Sequence, residues 1–97
     1  MLPVKKVEII ITNHEVNQAL RLLDSIGVSG YTVIENAHGK GERGVTSEDI
    51  DFSFGNSYIM TVCTNEKQLQ NLVDVIQPLL MKVGGVCLVS EASWVVH

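Results

Sequence analysis

Positive charge is scarce in this chain. Seven Lys and Arg stand against eleven Asp and Glu, for a formal net charge of −4. Binding nucleic acid through a broad basic face needs clustered Lys and Arg to neutralise phosphates, so that mode is set aside. Cysteine is also scarce. Cys63 and Cys87 are the whole supply and form no CxxC pair, so they read as small core residues in a reducing compartment. A disulfide or metal pair is the weaker reading. Aromatic residues amount to 5% of the chain, which leaves an aliphatic core. No apolar run reaches the roughly 20 residues of a membrane span. The amino terminus, MLPVKKVEIIIT, lacks the apolar stretch and cleavage site of a signal peptide. A cytoplasmic protein is expected. His14, His38 and His97 have no ligand spacing, and no histidine–cysteine pair, carboxylate pair or serine elbow stands out. A catalytic or metal-dependent reading has little support.

What is present is enough for one small domain over residues 1–97. Of its residues 45% are hydrophobic and 19% charged, a globular balance. A core this small gains from self-association, which removes further apolar surface from water. Lys5–Thr12 is short, β-branched and apolar on both faces, as a central strand is. Thr12 and Asn13 are good helix caps, and Val16, Ala19, Leu20, Leu23 and Ile26 recur at helical spacing, so a helix is expected over His14–Ile26. Gly27 is placed to be its left-handed stop. A second strand follows from Gly30 to Glu35 and a third over Ser57–Thr64. Thr64-Asn65 repeats the earlier cap, and Leu69, Leu72, Val73, Ile76 and Leu80 stripe a second helix. Pro78 would kink or loosen its last turn. Gly84-Gly85 ends it, and Val86–Val89 is a fourth strand, with Ala92–His97 a short fifth strand or an extension.

The order strand-helix-strand, strand-helix-strand is that of an α+β, ferredoxin-like βαββαβ fold: four antiparallel strands with two helices on one face. Because the strands are apolar on both faces, the open face needs a cover. Ile10, Ile59 and Val89 are expected to meet another subunit.

Between the second and third strands lies Ala37–Asn56, far longer than a hairpin connection of two to five residues. A connection of that length is usually functional or disordered. Its near half holds Gly39-Lys40-Gly41-Glu42-Arg43-Gly44. Glycines let backbone N–H groups converge on a phosphate, Lys adds a point charge and Arg a fork. By spacing alone, a polar hairpin tip fits this string slightly better. It is not a Walker A loop, since no helix follows and there is no GK[ST]. The far half, Ser47-Glu48-Asp49-Ile50-Asp51, reads as a solvated acidic tip, because nothing completes a calcium loop. Thr32, where the second strand runs toward this loop, is either a hydroxyl for a base or ribose or a routine strand residue. Gly84-Gly85 reads first as a helix stop and turn.

Taken in order, GVSGYTVIE (27–35), GKGERG (39–44), the long loop, a strand-helix run and GGVCLVSEASWVV (84–96) resemble the PII signal-transduction superfamily. The resemblance is to its PII-like branch, above all the carboxysome-associated and bicarbonate-transporter-associated proteins, and it covers nearly the whole chain. It implies a homotrimer that binds adenine nucleotides in clefts between subunits, with residues 37–56 as the T-loop that engages a protein partner. It implies nucleotide contacts at Thr32, Gly39, Lys40, Gly41 and Arg43, and at Gly84, Gly85 and Val86 from the other side. It implies no catalytic residue, no metal, no cofactor beyond the ligand itself, and contact with a membrane only through a transporter partner.

Three departures matter. The loop has no tyrosine for uridylylation, only Lys82 precedes the glycines, and Ser93-Trp94-Val95 stands where paired arginines are found in nitrogen-regulating relatives. Fewer cations argue against tight ATP and 2-oxoglutarate sensing, and the resemblance to the carboxysome-associated proteins implies AMP or ADP, with bicarbonate beside the phosphates. Two rivals remain at this stage: a small trimeric nucleotide phosphohydrolase, and a structural trimer of the copper-tolerance type.

Overall fold

The computed structural model describes residues 1–37 and 55–97. Its elements run β1 (Leu2–Thr12), a 3-10 turn (Asn13–Glu15), α1 (Val16–Ser25), β2 (Tyr31–Ala37), β3 (Asn56–Cys63), α2 (Glu66–Val83) and β4 (Val86–Trp94). The four strands form one antiparallel sheet in the order β2-β3-β1-β4. The expected ferredoxin-like order is therefore present.

Alternation sorts the two faces. Val7, Ile9 and Ile11 of β1 and Ile59 and Cys63 of β3 are buried, together with Val16, Ala19 and Leu23 of α1 and Leu72 and Ile76 of α2. The helices thus cover one face with an aliphatic core, as the low aromatic content requires. The register sets Ile9 opposite both Ile59 and Cys87, and Val7 opposite Thr61 and Val89. This corrects the expected subunit contacts. Ile59 is fully buried under the helices, and Val89 shares the helix-side parity, exposed because β4 is an edge strand. Only Ile10 of the three belongs to the open face, where the register sets it beside Tyr58 and Val86. Alternation alone cannot say which parity meets the helices when both carry aliphatics.

Several boundaries also move. β1 begins at Leu2 rather than Lys5, and Pro3 fits because β3 pairing stops at Lys5↔Cys63, so Pro3 faces only β4. The first helix opens as a 3-10 turn, and neither Thr12 nor Glu15 makes a side-chain cap. β2 continues past Glu35 to Ala37 across a bulge, and β3 begins at Asn56. α2 runs through Pro78 to Val83. The chain after Gly85 is one strand to Trp94, so Ala92–Trp94 extends β4 rather than forming a fifth. Tyr31 and Trp94 are both exposed in the single chain. Gly27 is the left-handed helix stop that was expected, with φ 80°.

Candidate functional site

Thr32 is the second residue of β2, level with Glu8 and Leu88, and the Gly84–Val86 turn lies at one end of the sheet. There β1 and β2 end and β3 and β4 begin. Gly84 closes α2, its N–H donating to the Leu80 carbonyl at 2.7 Å, with φ 84° and ψ 172°. Glycine alone adopts that combination at little cost. Gly85 has φ 128°, and a Cβ built on it would lie 2.6 Å from the Ile10 carbonyl oxygen and 3.6 Å from Ile11 Cα. The turn is pressed against β1 so closely that any side chain would collide with main chain. Val86 follows as the first residue of β4, paired with Ile10 and 45% exposed.

Thr32 lies on β2, opposite Met60 of β3, and is exposed. Its parity places it with Ile34 on the open face. Gly39, Lys40, Gly41 and Arg43 lie outside the described residues, as do Asp49 and Asp51. β2 and β4 are the two outer strands of the sheet. Three inter-strand spacings separate them, about 14 Å. Within one chain, Thr32 and the Gly84–Val86 turn therefore sit on opposite edges.

Sequence reasoning missed a polar cluster at the same end. Asn13 does not cap α1. Its Nδ2 donates to Asn36 Oδ1 at 2.9 Å, and its Oδ1 accepts from Ser57 Oγ. Its backbone N–H donates to the Gly55 carbonyl at 2.8 Å. Asn36 is, among the described residues, the one non-glycine with positive φ, at 61°. It sits inside the β2 bulge, between Ile34↔Tyr58 and Ala37↔Asn56. The one sequence signal was the residue type, since Asn tolerates the left-handed region better than most.

A second polar group occupies the open face. Tyr58 Oη donates to Glu8 Oε2 at 2.5 Å, and Lys6 Nζ lies 3.9 Å from Glu8 Oε1. That hydrogen bond, with help from burial and the carboxylate charge, holds the Tyr58 hydroxyl above its usual pKa. An open groove of about 700 Å³ runs between α1 and α2, past His14, Arg21, Pro78 and Lys82. It contains none of the expected contact residues.

The family model for the nitrogen regulatory protein P-II matches residues 4–96. The chain belongs to the P-II family. Among solved structures, the PII-like protein CPII from Thiomonas intermedia K12, bound to ADP, AMP and bicarbonate, superposes with a TM-score of 0.80 at 29% identity, covering 95% of this chain and 88% of that one. CPII bound to ADP and bicarbonate gives 0.79 at 31% identity, again over 95% and 88%. GlnK from B. subtilis shares the fold, with a TM-score of 0.62 at 20% identity over 94% and 86%. No curated protein matches the chain by sequence. For this P-II member, no group of three or more His, Cys, Asp and Glu among the described residues is arranged to hold a metal ion. No helix among them is long and apolar enough to cross a membrane.

Proposed function

We propose that this chain is a non-enzymatic, cytoplasmic P-II-like sensor that binds AMP or ADP, with bicarbonate beside the phosphates. The binding unit is a homotrimer, and the nucleotide lies in the clefts between its subunits. Thr32 faces the base on one side and Gly84, Gly85 and Val86 close the cleft from the other. Gly39, Lys40, Gly41 and Arg43 receive the phosphates. Nucleotide favours one arrangement of the segment between β2 and β3, and that arrangement governs a protein partner in carbon or nitrogen metabolism.

The observation that carries this reading is the separation of the two half-sites. Thr32, near the start of β2, and the Gly84–Val86 turn lie on opposite edges of the sheet, so adjoining copies would unite what one chain keeps about 14 Å apart. The ligands of CPII, at about 30% identity, supply the chemistry. The open face, with Ile10, Ile34, Val86 and Leu88 partly or largely exposed, supports assembly of copies over it.

Calorimetry with AMP, ADP, ATP and cyclic AMP, with and without bicarbonate, tests the proposal. AMP or ADP should bind at sub-millimolar concentration, and binding of none would sink it. Arg43→Ala should weaken binding about tenfold or more, because a guanidinium–phosphate fork is a charge-assisted pair. Glu42→Ala should leave it nearly unchanged. Phosphate release from ADP with magnesium would instead favour a phosphohydrolase.

A further inference from the structure

Among the described residues β2 is an edge strand, with β3 as its ladder partner. That ladder is interrupted after Ile34, where the bulge holds Asn36 in the left-handed region. An edge strand with a broken ladder is where local opening costs least. At that point side chains from three parts of the chain converge. Asn13 follows β1, Asn36 is the penultimate residue of β2 and Ser57 the second residue of β3. Asn13 joins the other two through Nδ2 and Oδ1, while its N–H holds Gly55. Ser57 is fully buried, so its hydroxyl depends on this bond. Gly55 leaves the room: a Cβ there would lie 3.3 Å from Asn13 Nδ2 and 3.5 Å from Asn36 Oδ1.

We infer that Asn13 is a positioning residue for the nucleotide site. It ties the bulged end of β2 to the ends of β1 and β3, and so fixes the edge that presents Thr32 to the ligand. The inference rests on the nucleotide reading above for its effect on affinity, and on geometry alone for its effect on the strand.

Charge makes the tie testable without deleting it. A single carboxylate at either position keeps one bond: in Asn36→Asp it still accepts from Asn13 Nδ2, and in Asn13→Asp it accepts once the Asn36 amide turns to present its N–H. Two carboxylates face each other with no proton between them. Asn13→Asp, Asn36→Asp and the double variant are compared near neutral pH by ADP calorimetry and by hydrogen exchange of amides 32–37. The single variants should stay within about threefold of the parent in affinity, and the double should lose about tenfold or more beyond the product of the singles. Exchange at 32–37 should rise about tenfold in the double variant while helix Glu66–Val83 is unchanged. Losses that simply multiply, or exchange that rises equally in that helix, would overturn the inference. Should the double variant not fold, Asn36→Gly keeps the positive φ and removes only the side-chain bond. It should still speed exchange at 32–37, and unchanged rates would overturn the inference. If the parent chain binds no nucleotide, the function reading fails and the exchange rates decide this inference by themselves.

Discussion

The chain is built from two similar halves, β1-α1-β2 and β3-α2-β4, and each passes from strand to helix through Thr-Asn. The second half uses the pair as a cap. Asn65 Oδ1 accepts from the Gln68 N–H at 2.8 Å, and Gln68 Oε1 accepts in return from the Thr64 N–H at 3.1 Å. Two orphan donors are satisfied reciprocally, much as in a capping box. The first half leaves its helix start uncapped and spends Asn13 on Asn36 and Ser57. The helix exits differ as well. Gly27 has positive φ but open space around it, whereas Gly85 is pressed onto the Ile10 carbonyl. A repeated motif fixes where a residue falls in the fold. The neighbours brought by tertiary packing decide what it does there.

The largest test of that contrast is at the exits. Gly85→Ala should cost about 3 kcal/mol, combining backbone strain with a main-chain collision. Gly27→Ala should cost about 1 kcal/mol, because only the left-handed backbone opposes it. Urea unfolding of both variants reads the difference, and equal midpoints would mean that the two exits are equivalent. At the entries, Asn65→Ala should lower stability by about 1 kcal/mol, the usual loss for a helix cap. It should leave ADP affinity unchanged, which calorimetry can check alongside denaturation. A loss of affinity there would mean that both Asn residues serve the site.

The smallest effect is on alkaline stability, and it belongs to the second half. Burial raises the pKa of the Cys63 and Cys87 thiols, and the Glu8 hydrogen bond raises that of Tyr58. With folded pKa values above the unfolded ones, the folded chain holds more protons once pH passes the unfolded thiol value. Stability is then fully present below about pH 8.5 and declines as pH rises through the folded values. Urea midpoints measured upward from neutral pH should fall gently, and Cys87→Ala should flatten part of the fall. A rise would contradict the assignment.

Much of the fold was legible because periods of 2 and 3.6 mark strands and helices whatever their partners. The β1 stripe Val7, Ile9, Ile11 and the α2 stripe Leu72, Ile76 are where the pattern puts them. The buried position of Ile59 was not legible, since β3 carries aliphatics on both parities. Nor was the 3-10 opening of the first helix, because Thr12-Asn13 has the same letters as a true cap. The site divides similarly. Gly84 and Gly85 were visible as a turn, and their close approach to β1 is a fact of packing. Thr32 had two open readings by position, and its nucleotide contact came only with the resemblance, which the family match supports without assigning its role. The Asn13–Asn36–Ser57 cluster joins residues up to 44 positions apart, and no local pattern announces it.

Gly85 against the Ile10 carbonyl has a consequence for how such a cleft can change. In the proposed cleft one jaw is set by a hard-core contact that makes substitution costly and leaves little drift. The other hangs on amide and hydroxyl groups that single substitutions can retune. If the cleft is as proposed, altered ligand preference in this chain should be written at the β2 jaw, with the β4 jaw as the fixed gauge against which it is measured.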